Sequence, residues 1–237
     1  MINNALFWAD YFERLHIWQI STFEQAIFEK LIPAFDKIEE ESKHIAEAEY
    51  ERLGAMPAAG DVDLGDLAED AQHAALVYYE GMSYFHQGLL NLLAAGLYHL
   101  FEQQFLIFHR HELLDNDERS KTAMFSVEAA VDRLGRFGIV IETFPAWDIL
   151  KELRLVANAV KHAEGRSSNE LLAVRPEIFV LPALRSDPNF SNMRGGEVYS
   201  PLAGQDIFVT AGDLRRYSNA IRGFWMDLAS VLRVERL

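Results

Sequence analysis

Residues 151–165, KELRLVANAVKHAEG, hold a set of side chains able to handle a phosphate. Read as a helix, this segment stacks Arg154, Asn158 and His162 on one face, because residues four apart are neighbours on a helix surface. Lys161 lies seven residues after Arg154 and joins that face, and Lys151 adds a second ammonium as a further substrate contact. In such a set the imidazole can transfer protons and the guanidinium can stabilise developing negative charge. The opposite face carries Ile149, Leu153, Val156, Ala159, Val160 and Ala163, an apolar stripe suited to a core. Part of this pattern has a purely structural explanation: Lys161 and His162 complement the negative end of a helix dipole, and Gly165 is a natural stop. That explanation does not require Arg154 and Asn158 to share a face.

The elements that must position this stripe are mostly helical. Pro145 suits a helix N-terminus, and the helix should run to about Glu164. Upstream of it, the proline-free stretch from Leu67 to about His111 reads as helical, with Gly81, Gly88 and Gly96 at positions that allow close approach of another helix or a local break. Unbroken, this stretch would reach on the order of 65 Å, so a bend or a break is expected. Upstream, Phe7, Tyr11, Leu15 and Trp18 recur at helical spacing, as core or dimer surface. Ser21 and Glu24 form a capping-box pattern, and Pro33 should bend the helix that follows. Residues 54–66 read as a loop, 122–136 as a short amphipathic helix, and Ile139–Glu142 as a short extended piece. The segments EIFVLPAL and DIFVT read as two short strands around a loop at 186–205. Thr210 and Asp213 then start a last helix to about Val234, with Tyr217, Ile221, Phe224, Leu228 and Leu232 inward. The expected fold is mainly α, a bundle of long antiparallel helices with a small C-terminal β hairpin. Its divisions are an acidic helical arm (1–66), a helical core (67–175), and strands plus a terminal helix (176–237).

Composition narrows the function. The 237 residues are 50% hydrophobic, enough for a sizeable core, and include no cysteine. Disulfides, thiolate metal sites and cysteine nucleophiles are therefore excluded, and a cytoplasmic setting is expected. No signal-peptide pattern opens the chain, and the most apolar stretch, Gly88–Leu100, is too short to span a membrane. The net charge of −14 argues against non-specific nucleic-acid binding over the whole surface. The charge is uneven: residues 1–118 hold 6 basic and 22 acidic side chains, a net of −16, whereas residues 119–237 hold 16 and 14, a net of +2. Any anion site should lie in the second half.

Two further groups carry chemistry. In HRHE (109–112), His109 and Glu112 share a helix face while His111 does not, which makes a poor metal site, and no metal is expected. His99 and Glu102 sit one turn apart on the long helix as supporting residues; Glu102, in an apolar run, should pair with Arg154 or Lys161 across the helix interface.

The segment LVANAVKHAEG resembles the Asn-bearing helix of GHKL ATPases and histidine kinases, but no Asp-x-Gly-x-Gly follows it; DLGDL at Asp63 lies upstream and lacks the second glycine. LRLVANAVKHAEG is more similar to the late helix of HEPN domains, with the Leu67–His111 helix as its packing partner. This resemblance implies a dimeric helical bundle, with Arg154, Asn158 and His162 as catalytic residues at the dimer cleft. It also implies metal-independent RNA cleavage without a cofactor, with RNA and an antitoxin-type partner, in toxin–antitoxin or phage-defence settings. The family's arginine corresponds to Ala157; Arg154 lies one turn earlier, within reach of an extended guanidinium. The other reading is a non-catalytic helical interaction or regulatory protein, in which this helix is structural.

Overall fold

The computed structural model describes residues 2–57, 63–187, 198–200 and 204–234. The chain begins with a helical rod: α1 (Ala5–Tyr11), a π-turn at Phe12–His16, α2 (Ile17–Ala26), a second π-turn at Ile27–Leu31 and a 3₁₀ turn at Ile32–Phe35 around Pro33. A π-turn closes i→i+5 hydrogen bonds and takes more residues per turn. The inward positions therefore step by four: Trp8, Phe12, His16 and Ile20 are buried. Phe12 and His16 pack on Trp225, with ring centroids 4.6 and 4.5 Å away. The stripe marked in the sequence lies on the outer side, with Phe7 and Trp18 each 60% exposed. Ser21 starts no helix; it lies within α2, its Oγ donating to the Ile17 carbonyl at 2.9 Å. Glu24 pairs with Arg222 instead of capping.

After Pro33 the chain starts a new helix, α3 (Ile38–Gly54), whose first turn holds Glu39, Glu40 and Glu41 at the positive end of the helix dipole. It returns as α4 (Leu64–Phe108), started by Asp63, whose side chain accepts from the Gly65 N–H at 2.7 Å. At 45 residues and roughly 67 Å, α4 is continuous through Gly81, Gly88 and Gly96 with no break. α3 lies along the first part of α4 on small side chains, Ala46, Ala71 and Ala75. The contact is fastened by Ser42 Oγ to the Ala75 carbonyl (2.9 Å) and Tyr78 OH to Glu41 (2.6 Å). The second part of α4, from Leu90 to Phe108, is buried on large residues among the remaining helices.

Those helices are α5 (Val127–Arg136), α6 (Trp147–His162), α7 (Arg166–Val174) and α8 (Ala211–Val234). Ser126 caps α5 by accepting from the Ala129 N–H at 3.1 Å. The expected extended piece at Ile139–Glu142 is replaced by a 3₁₀ turn at Ile141–Thr143. α8 opens on a reciprocal cap: Asp213 Oδ2 accepts from the Thr210 N–H (2.8 Å), and Thr210 Oγ1 accepts from the Asp213 N–H (3.1 Å). Its five inward residues, Tyr217, Ile221, Phe224, Leu228 and Leu232, are fully buried.

The fold is thus mainly α-helical, but no strand occurs among the described residues, and the C-terminal hairpin is not found. Pro176 and Pro182 start 3₁₀ turns at Pro176–Phe179 and Pro182–Leu184, because proline supplies no N–H to a ladder. One backbone bond, Phe208 N–H to the Ile178 carbonyl at 2.8 Å, joins the two segments. Side chains do the rest. Arg185 donates to the carbonyls of Val180 (3.0 Å) and Phe208 (2.7 Å). Asn91 of α4 donates to the Ile207 carbonyl (2.8 Å) and accepts from the Val209 N–H (3.2 Å), and Gln87 donates to the Val209 carbonyl (2.8 Å). Gly204, at φ +76°, brings this segment onto α4; a Cβ there would stand 2.8 Å from the Gly88 nitrogen. Most of the expected loop at 186–205 lies outside the described residues. Among the described residues no helix is long and apolar enough to cross a membrane.

Candidate functional site

α6 carries the polar stripe because its apolar positions are fixed by the core. Leu153, Val156, Ala159 and Val160 are fully buried, as their spacing requires. The polar residues are strung along the outer face and do not converge. Arg154 is half-buried and ion-paired to Glu128 at the start of α5, at 2.5 Å. A backbone hydrogen bond at that helix start holds the Glu128 carboxyl below its usual range, burial opposes the shift, and Arg154 reinforces it. Lys151 is exposed and pairs with Asp148 at 2.7 Å. Asn158 is half-buried, while Lys161 and His162 are exposed at the end of the helix; none of the three has a hydrogen-bond or ion-pair partner among the described residues. The helix stops at Ala163, which takes φ +57°, ψ −131°, a backbone that L side chains seldom adopt. Gly165 does not close α6 but stands before α7, where Ser168 Oγ bonds its N–H and carbonyl.

Position 157 is decisive for the geometry. Ala157 is 0% exposed, and Leu155 and Val156 beside it are also buried, so the positions one turn and a half before His162 face the core. The backbone of Arg154 lies about 12 Å along the helix axis from that of His162. Glu102 meets neither Arg154 nor Lys161. It pairs with His99 on its own helix at 3.2 Å, and it hydrogen-bonds Tyr98, whose hydroxyl pKa is raised by burial and by that carboxylate.

HRHE is divided among separate tasks. His109 is fully buried, Arg110 lies over the Phe125 ring at 5.0 Å, and His111 is exposed. Glu112 accepts from the Asn4 N–H, the Asn4 amide and the Trp8 indole at 2.8–3.0 Å, which fastens α1 to the end of α4. No cluster of metal-ligating side chains occurs among the described residues.

The strongest polar constellation is one that sequence reading missed. Arg175, after α7, donates to Glu152 (2.7 Å), Glu177 (3.0 Å), Tyr217 (2.9 Å) and Asp213. The Tyr217 hydroxyl donates to Glu152 at 2.7 Å, and Arg216 pairs with the same carboxylate. Burial pushes the Glu152 carboxyl up, but hydrogen bonds from Tyr217, Arg175 and Arg216 outweigh it and hold it below the usual range. Arg175 and Tyr217 are answered by Glu152, Asp213 and Glu177, so the cluster ties α6, α7 and α8 together. Its members lie up to 65 positions apart, and the one legible signal was Asp213 within the cap of α8. A separate cavity opens where α4, α5 and α6 meet, floored by Tyr98, Phe101 and Trp147 with Arg154 at its edge. No protein-family model, curated protein or solved structure matches this chain.

Proposed function

We propose that the chain is a HEPN-like helical bundle that acts by binding, as an interaction or regulatory protein, and does not cut RNA. The observation that carries this reading is the burial of Leu155, Val156 and Ala157. A proton-transfer group needs its charge-stabilising partner within hydrogen-bond reach of one reacting phosphate. Within one subunit, the positions that could supply such a partner to His162 point inward, and Arg154 is answered by Glu128. The test is incubation of the full chain with single-stranded RNA, with and without EDTA. Intact RNA under both conditions is expected.

The second reading, metal-independent cleavage at a homodimer cleft, is favoured by the exposure of Lys161 and His162 beside the strained Ala163. A second copy that placed its own Arg154 near His162 would complete the pair. Cleavage in EDTA that leaves a 2′,3′-cyclic phosphate, and that His162→Ala abolishes without unfolding the protein, would establish this reading and overturn the first.

A further inference from the structure

The geometry points to a binding site for a small organic cation with an apolar body, in the cavity where α4, α5 and α6 meet. The cavity measures about 260 Å³. Sites for drug-sized ligands usually span about 300–1,000 Å³, so this one suits a smaller molecule. Its walls are Tyr98, Phe101, Val127, Val131, Trp147 and Leu150. Tyr98, Phe101, Trp147 and Leu150 are buried, so they form an apolar floor that includes three aromatic side chains. Transfer of an apolar group from water onto this surface is favourable.

The charges at the mouth decide the sign of the ligand. Arg154 is answered by Glu128. Lys151 is turned to Asp148, which does not line the cavity. Asp132 and Glu142 are exposed, line the cavity, and form no hydrogen bond or ion pair among the described residues. The unanswered charge is therefore negative, and it stands beside aromatic rings. A cation is attracted both by those carboxylates and by the negative face of a ring. An anion would have to displace Glu128 from Arg154 and then sit facing Asp132 and Glu142. The ligand class is an ammonium, primary to quaternary, attached to an aromatic or branched aliphatic body. Neither Lys161 nor His162 lines this cavity.

The test uses three probes of similar shape with the full chain: benzyltrimethylammonium, 3-phenylpropionate and benzyl alcohol, followed by saturation-transfer NMR and calorimetry. The cation should bind at least about ten-fold more tightly than the anion, with the neutral probe between them. Asp132→Asn combined with Glu142→Gln should weaken the cation about ten-fold and leave the neutral probe unchanged. Val131→Trp should fill the cavity and remove all three. If that variant melts early, the two exposed charge changes still decide the matter. Equal or tighter binding of the anion, an unchanged cation affinity in the charge variant, or no binding by any probe would each overturn the assignment.

Discussion

Two arginine–carboxylate contacts in this molecule share their chemistry and differ in everything else. In the arm formed by α3 and the first part of α4, Arg52 makes a paired contact with Glu49, at 2.7 and 2.6 Å, on an open helix surface. In the bundle, Arg175 holds Glu152, Asp213, Glu177 and Tyr217 with its side chain only 12% exposed. The difference teaches that the two regions are held by different forces. The arm buries mainly alanines and Ile38, so its order rests on helix propensity, on neighbouring-turn pairs worth a few tenths of a kcal/mol each, and on the bonds of Ser42 and Tyr78. The bundle buries Phe101, Phe105, Phe108, Tyr217, Phe224 and Trp225, and its polar groups are desolvated. One helix, α4, passes through both regimes without interruption.

The sharpest way to break this comparison is to remove each arginine. Arg175→Ala should destabilise the bundle by about 3–5 kcal/mol, because it leaves buried carboxylates without their partner. Arg52→Ala should leave the urea midpoint unchanged, since exposed pairs of this kind contribute little. Equal effects in the two variants would erase the distinction.

Acid probes the same contrast. Burial holds His16 and His109 at about 4, and at His109 the charge of Arg133 adds to it while Glu118 opposes it. In the unfolded chain an imidazole takes up its proton near 6.5. Between those values the unfolded state binds more protons, so bundle stability should fall as pH drops from about 6.5 to about 4. Thermal melts across this window measure the slope; a flat profile would show that the two histidines are not buried in the neutral form.

The smallest expected effect lies in the arm. A Cβ at Gly81 would meet nothing within 4 Å, so Gly81→Ala should stabilise the local helix by about 0.5–1 kcal/mol. Hydrogen exchange should slow between 64 and 86 and stay unchanged in α8. Slowing across the whole chain would mean that arm and bundle unfold as one unit.

Much of the helical pattern was legible in the amino-acid order, although the expected arm at 1–66 includes α1 and α2, which pack on α8. The inner face of α8, the core stripe of α6, the cap at Thr210–Asp213 and the helical path through Leu67–His111 all follow from period and capping chemistry. What local pattern could not show depends on partners far along the chain. The π-turn at Phe12–His16 carries a buried face of Trp8, Phe12, His16 and Ile20, and Phe7 and Trp18 lie outside it. Glu102 found His99 rather than Arg154, because Arg154 is turned to Glu128 at the start of α5. The Arg175 cluster draws on α6, α7 and α8, and no window of sequence contains it. The IFV run of DIFVT has strand character by composition, but amide side chains occupy the places of a neighbouring strand.

That last substitution has a consequence for how the protein keeps its own company. Ile207, Phe208 and Val209 form a β-prone, uncharged run, the kind of segment whose open edge recruits strands from other chains into aggregates. Here the carbonyls of all three are taken, by Asn91, Arg185 and Gln87, and the N–H groups of Phe208 and Val209 go to Ile178 and Asn91. A template with its bonds already spent has little left to offer a second chain. Side chains borrowed from a helix thus serve here as a guard against self-templating.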